Sequence, residues 1–494
     1  MGTTEAPLTS LGLMAKGGLN PMITGVSVDS RMVEPGHLFG AMPGNRVHGG
    51  EFIQYALRMG AAGILTDAEG AKIAQAELSV SDAALVVTDD PRGALSRAAA
   101  LWFGAQPDTM IAVTGTNGKT SVSSFVRQIW LALDLPAVNL GTTGVEGAWT
   151  APLGHTTPEP ITLHRTLANA ARNGITHAAM EASSHGLDQR RLDGVLLHAA
   201  GFTNFSQDHL DYHKTFEAYF EAKAQLFSRV LPEEATAVIN IDDPMGEEMV
   251  TVAIERGQHI LTVGRGVEAD LRLDGQRFDA TGQDIRFTIE GEVFTARLNL
   301  IGGFQAENVL LAAGLVAACG EPIDQVAAVL PRLTTVRGRM QHAATRENGA
   351  SIFVDYAHTP DAVETALQAM RPHVLGRLIV VVGAGGDRDA GKRPLMGAAA
   401  ATNADVVFVT DDNPRSEVPG AIRSAVMEGC PDATEVGDRA EAILRAVDAL
   451  EPGDALLIAG KGHETGQIVG DDVLPFDDME QASIAVAALE GKGI

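Results

Sequence analysis

Met110-Ile111-Ala112-Val113-Thr114, followed by Gly115-Thr116-Asn117-Gly118-Lys119-Thr120-Ser121, is the stretch on which the reading of this chain turns. The first five residues suit a short buried strand. After the turn, apolar residues at Val122, Phe125, Val126, Ile129, Trp130 and Leu133 keep to one face of a helix. Strand, glycine-rich turn, Lys-Thr and helix together make the context of a phosphate-binding loop. Glycines let backbone N–H groups approach phosphate oxygens, and the helix amino terminus adds a favourable dipole. Residues Gly115 to Ser121 are thus the expected ATP cradle, with Lys119 reaching the β and γ phosphates and Thr120 holding Mg²⁺. The longer G-x-x-x-x-G-K-[ST] form needs glycine at position 113, where Val113 stands, so the shorter T-G-T-x-G-K-T form applies. The alternative is a glycine-rich turn with an incidental lysine.

Working outward, 494 residues suggest about three domains at ~100 to 200 residues each. Short apolar runs alternate with helical patterns, which predicts an α/β chain with largely parallel sheets. Breaks near Gly104 to Asp108 and at Thr334 to Arg339, the latter after an Ala/Leu-rich segment from Asn308 to Leu330 that reads as helical, place the domains at 1–106, 107–337 and 338–494. The formal charge of −26 argues against a general nucleic-acid surface, since phosphate backbones need excess Lys and Arg. An anionic ligand must then meet local donors. Cys319 and Cys430 lie far apart with no zinc-type spacing, which fits a reducing compartment. The amino terminus lacks a basic region before an apolar stretch, and no run approaches the ~18 apolar residues of a membrane span. Met1-Gly2 begins like a myristoylation signal, but Ala6 replaces the required Ser or Thr. A cytoplasmic protein, without membrane insertion and monomeric, is expected.

Thr176 to Ala182 reads as a strand carrying Glu181 near its end. Asn204 to His213 is dense in oxygen and imidazole groups, including His209. Beside a phosphate loop, hard ligands of this kind suit Mg²⁺. Lys223 falls on a helix otherwise suited to packing, where a lysine is ordinarily an exposed salt-bridging side chain.

In the last third, four strand-like runs end in polar clusters: Asp355 to Pro360, Gly383 to Asp389, Asp411 to Arg415, and Gly460 to Glu464. In an open parallel sheet such clusters gather at one edge, where ligands bind. Gly383-x-Gly385 does not continue into a dinucleotide fingerprint, because Arg388 stands at the third glycine. Arg388, Asp412, Arg415 and Glu464 suit a zwitterion, with Arg415 gripping a carboxylate and the acids receiving an ammonium.

The T-G-T-x-G-K-T loop resembles that of the Mur ligase family, and the likeness runs through essentially the whole chain. It implies a ligase that joins an amino acid to a UDP-muramoyl carboxylate through an acyl phosphate, using ATP and Mg²⁺. It further implies that Lys119, Glu181, His209 and Lys223 are catalytic. Thr120, Glu181, His209 and Lys223, the last as a CO₂-derived carbamate, would hold the metal. Val28, Ser30, Asn45, Arg46, Val47, His155, Thr156, Thr157, Ser183, Gln189 and Arg191 would meet the UDP-muramoyl dipeptide, and Asn308 and Arg339 the ATP. On residues alone, Asn308 could equally be a helix cap. Asp412-Asn413-Pro414-Arg415 is similar to the signature of members that add meso-diaminopimelate, with Arg388, Gly460 and Glu464 joining that pocket. The lysine-adding and folate polyglutamate ligases, and an ATP-switched protein without chemistry, are the competing readings.

Overall fold

The computed structural model describes residues 5–44, 47–206 and 210–491. Asn45, Arg46 and His209 lie outside the described residues. The chain forms two compact units, Met1–Leu271 with Leu310–Val326, and Arg272–Val309 with Ala327–Ile494.

The first unit opens with a parallel four-stranded sheet, β1 Gly25–Ser27, β2 His37–Gly40, β3 Gly63–Thr66 and β4 Ala84–Val87. Side chains alternate along each strand, and both faces are covered. Leu38, Leu65 and Val86 pack with Leu95 and Trp102 of the helix Pro91–Phe103, while Phe39 and Ile64 pack with Ile53 and Ala56. A second set follows: β5 Thr109–Thr114, β6 Ala137–Gly141, β7 Gly144–Gly147, β8 His177–Glu181, β9 Ala199–Phe202, β10 Thr236–Asn240 and β11 His259–Gly264. They lie in the order β11-β10-β9-β5-β8-β6-β7, and only the β6–β7 hairpin is antiparallel. β5 therefore sits between β8 and β9, with Val113 level with Glu181 and Thr114 with Phe202. That register brings the turn after β5, the end of β8 and the turn after β9 to one sheet edge.

The helix Lys119–Ala132 buries Val122, Phe125, Val126, Ile129 and Trp130 completely, and Leu133 falls just past its end. The Ala/Leu-rich segment 308–330, expected to be helical throughout, is instead two helices, Phe304–Ala318 and Ile323–Val329. Gly320 takes a left-handed φ of 105° between them, and Pro322 has no N–H to extend the first helix.

In the second unit, β12 Gly282–Ile289 and β13 Glu292–Leu298 form an antiparallel hairpin. A six-stranded sheet contains β14 Gln341–Thr345, β15 Ser351–Asp355, β16 Leu378–Val382, β17 Val406–Val409, β18 Thr434–Glu435 and β19 Ala455–Ala459, in the order β14-β15-β19-β16-β17-β18. Only β14 runs antiparallel. Val380, Val382 and Leu457 pack on one face and Ile379, Val381 and Ile458 on the other, which explains their near-continuous hydrophobic runs. Asp355 is level with Ala459, Val381 with Ile458, and Val382 with Val409. The four polar clusters therefore do leave from one edge. A small hairpin, β20 Gly466–Val469 and β21 Asp472–Pro475, follows the fourth.

One buried base in the first unit makes stability depend on pH. His164, 3% exposed in the helix Pro160–Arg172, has Nε2 3.2 Å from the Asp193 carbonyl, and burial pushes its imidazole down to about 4. An unfolded histidine titrates near 6.5, so the unfolded chain binds the proton more readily, and stability drains away as pH falls from about 6.5 towards 4. Urea unfolding at pH 7 and pH 5 should therefore differ by about 2 kcal/mol less in His164→Gln than in the parent. An unchanged difference would clear this residue of the role.

Candidate active site

The phosphate loop is built by close approach. Gly115 has φ 142°, and a Cβ there would fall 1.9 Å from Thr203 Oγ1, so glycine is required. Thr116 N donates to the Asn204 carbonyl (2.8 Å) and Asn117 N to Asn204 Oδ1 (2.9 Å), while Thr203 Oγ1 donates to the Asn117 carbonyl (2.6 Å). The turn after β9 thus braces the loop. Gly118, at φ 84°, turns the chain into the helix. Lys119 Nζ folds back to donate to the carbonyls of Gly115 (2.9 Å) and Thr116 (2.8 Å).

Lys223 meets the same loop. It lies in the helix Phe216–Gln225, is 1% exposed, donates from Nζ to the Gly115 carbonyl (2.6 Å), and stands 4.4 Å from the Tyr219 ring centre. The ordinary expectation for a helical lysine, an exposed salt bridge, does not hold here. Two ammonium groups reach one carbonyl, concentrating positive potential at the loop.

Glu181, 1% exposed at the end of β8, accepts from Thr120 Oγ1 at Oε2 (3.0 Å) and from Thr142 N at Oε1 (2.9 Å). Gly141 allows this approach, since a Cβ there would lie 1.9 Å from Oε1. A hydroxyl and a carboxylate held together are hard oxygen donors of the kind Mg²⁺ takes, with phosphate and water filling its other positions. The donor set therefore fits the metal. Among the described residues no group of three or more His, Cys, Asp or Glu could hold an ion, and His209 falls outside them. The bond that Thr142 donates to Glu181 had no signal in sequence, because a backbone N–H carries it.

Around Glu181 the structure gathers much of the expected dipeptide set. Thr157 Oγ1 donates to the Glu181 carbonyl (2.9 Å) and accepts from Ser183 N (3.1 Å), and Ser183 caps the short helix Ser184–Asp188. Arg191 donates to the Thr157 carbonyl (2.6 Å) and to Gln189 Oε1 (2.8 Å), and Thr156 Oγ1 lies 3.1 Å from Thr142 Oγ1. Burial, then the nearby Arg92, lowers the Arg191 guanidinium below its usual value, so an anion there would be welcome. His155 is exposed. Val28 and Ser30 follow β1, and Val47 follows β2. Ser27 is level with Phe39 in these parallel strands, so both loops share one edge. Val28 and Val47 are both exposed apolar residues.

In the second unit, Asp412 and Asn413 are buried behind the strand ends. Asn413 Nδ2 donates to Glu464 Oε2 (2.9 Å), Arg415 Nη1 donates to the Gly386 carbonyl (2.6 Å), and Gln467 Nε2 donates to the Asp412 carbonyl (2.7 Å). Arg415 holds φ 50°, a left-handed conformation kept by the backbone bonds from its N–H to the Ile468 carbonyl and from Gly470 N to its own carbonyl. A Cβ on Gly460 would lie 2.6 Å from Asp412 Oδ2, and one on Gly385 would lie 2.8 Å from Arg415 Nη1 and 3.8 Å from Arg388 Cγ. Arg388, Asp412, Asn413, Pro414, Arg415, Gly460 and Glu464 thus form one neighbourhood. Sequence reasoning passed over Lys461 and Arg439. Both are fully buried, Lys461 on Asn413 Oδ1 (3.0 Å) and Arg439 on Asp478 (2.7 and 2.8 Å) and the Ala459 carbonyl (2.9 Å). The Arg339 guanidinium lies 4.9 Å over the Tyr356 ring. Asn308 is the fifth residue of its helix and donates to Gln305 Oε1 (3.3 Å), so it is not a helix cap.

Comparisons with known proteins agree along the chain. Residues 22–102 match the Mur ligase family catalytic domain, 113–316 the Mur ligase middle domain, and 338–462 the Mur ligase glutamate ligase domain. The UDP-N-acetylmuramoyl-L-alanyl-D-glutamate--2,6-diaminopimelate ligase of Bradyrhizobium diazoefficiens is 49% identical, the match covering 94% of this chain and 95% of that one. The ligase of the same name from Brucella melitensis is 48% identical over 94% of each. A solved structure of a ligase of that name aligns with TM-score 0.72 and 34% identity over 95% of both chains. With three such domains and relatives at this identity, the chain belongs to the Mur ligase family.

Proposed function

We propose that this chain ligates meso-2,6-diaminopimelate to the D-glutamyl γ-carboxylate of UDP-N-acetylmuramoyl-L-alanyl-D-glutamate at the expense of ATP, in the cytoplasm and as a monomer. The observation that carries it is the buried Asp412-Asn413 pair, bonded to Glu464 beside Arg415. The relatives' names point the same way. The reading keeps domains of 1–106 for the UDP end, 107–337 for ATP and 338–494 for the amino acid.

In the reaction a γ-carboxylate oxygen attacks the γ phosphorus of ATP and ADP leaves, giving an acyl phosphate. The amine of diaminopimelate then attacks the acyl carbon, loses a proton, and the tetrahedral adduct expels phosphate. Lys119 would draw phosphate charge towards the loop, and the backbone N–H groups of Gly115 to Ser121 would hold the chain of phosphates in line. Thr120 and Glu181, with His209 and a carbamate on Lys223, would hold Mg²⁺, which supplies charge neutralisation for the phosphates. Arg191 with Thr156, Thr157, Ser183 and Gln189 would orient the acidic dipeptide, and Asn308 and Arg339 would serve the adenine side. Arg388 and Arg415 would pair the distal carboxylate of diaminopimelate, with Asp412 and Glu464 receiving the ammonium.

The test offers the purified chain ATP, Mg²⁺ and the UDP-muramoyl dipeptide, with diaminopimelate, L-lysine or no amino acid, and reads ADP and product mass. Diaminopimelate should be preferred by roughly 10⁴-fold in kcat/KM, because lysine leaves the arginine pocket unmatched. Preference for lysine, or no nucleotide consumed with diaminopimelate, would overturn the reading.

A further inference from the structure

The Gly460-Lys461-Gly462-His463-Glu464 turn holds a cation that the chemistry above does not use. Lys461 is fully buried, at 0% exposure, whereas the Glu464 side chain is 34% exposed. Lys461 Nζ donates to Asn413 Oδ1 at 3.0 Å and lies 3.4 Å from Glu464 Oε2. Asn413 Oδ1 also accepts from Ile468 N at 2.9 Å, so its amide can turn only one way, with Nδ2 donating to Glu464 Oε2 at 2.9 Å. Lys461 and Asn413 thereby grip one oxygen of Glu464, and Oε1 has no hydrogen-bond partner among the described residues. Burying an ammonium is costly unless a specific arrangement repays its lost hydration. A methionine or leucine would fill the same space without that cost.

We propose that Lys461 is a positioning residue for amino-acid recognition: from behind the pocket it fixes the Asn413 amide and the Glu464 carboxylate so that Glu464 presents its second oxygen to the ammonium of the incoming amino acid. Lys461 touches no reacting atom. It acts through Glu464 and Asn413, which ties the 412–415 turn to the 460–464 turn. The inference rests on the proposed amino-acid site.

A double-mutant cycle tests it. The parent, Lys461→Met, Glu464→Gln and the double variant are each assayed for KM towards diaminopimelate, ATP and the UDP-muramoyl dipeptide. Lys461→Met should raise the KM for diaminopimelate by roughly 30-fold, as expected when a buried charge pair loses one member, and leave the other two KM values within about threefold. In the Glu464→Gln background the same change should add under about threefold, because the partner it serves is gone. Lys461→Gln, which keeps a donor for Asn413 without the charge, should fall between parent and Lys461→Met, and serves if the methionine variant does not fold. Additive effects, or an equal rise in all three KM values, would overturn the inference while parent turnover leaves the proposed reaction standing. A parent that does not turn over diaminopimelate would overturn both.

Discussion

Lys119→Met is expected to lower kcat for ADP release by roughly 10³-fold, the loss seen when a preorganised charge aimed at a transition state is removed. The lysine begins the helix Lys119–Ala132 directly after the left-handed Gly118, so its stem starts where the loop's N–H groups converge. Its ammonium rests on the carbonyls of Gly115 and Thr116, at 2.9 and 2.8 Å, which keeps it at the loop before any phosphate arrives. Methionine has similar length without charge or donors. The helix's apolar buried side chains begin at Val122 and would be untouched, so melting temperature should hold while turnover collapses. Steady-state kinetics at saturating ATP, alongside thermal unfolding of the same preparation, decide it. A kcat within about tenfold of the parent would take Lys119 out of phosphoryl transfer.

The phosphate loop was legible because its chemistry is local. Strand, glycines, lysine and helix are consecutive, and each residue type has a backbone or charge reason to be there. The same holds for the carboxyl edge of the second unit: parallel strands of similar length, each followed by a polar cluster, can end only on one side, and the Asp355/Ala459 and Val382/Val409 registers put them there. What stayed hidden depends on contacts far apart in sequence. Thr203 braces Asn117 across 86 residues, and Lys461 reaches Asn413 across 48. Neither has a spacing that a single chain could announce. The helical reading of 308–330 failed for a different reason, since apolar periodicity persisted across Gly320 and Pro322 while the backbone could not. Lys223 shows the converse: its helix was read correctly, but only the packing of that helix against the loop reveals that the amine is buried.

That burial gives the second large expectation. Lys223→Ala should cut ligation by roughly 10³-fold or more, comparable to losing an oxyanion or metal-holding group. If the working side chain is a carbamate, its task is to offer a carboxylate oxygen, and alanine leaves room where that group stood. Formate or acetate in solution should then restore part of the rate in Lys223→Ala. They should not do so in Lys223→Met, where the side chain still fills the space. Removing dissolved CO₂ from the parent should lower its rate, and bicarbonate should return it. The competing possibility is that the ammonium itself works, holding the Gly115 carbonyl at 2.6 Å and adding positive charge beside Lys119. In that case small alkylamines, rather than carboxylates, should rescue the alanine variant, and CO₂ should be without effect. Full activity of Lys223→Ala would remove both forms from the mechanism and leave Thr120 and Glu181 as the described oxygen donors proposed for Mg²⁺.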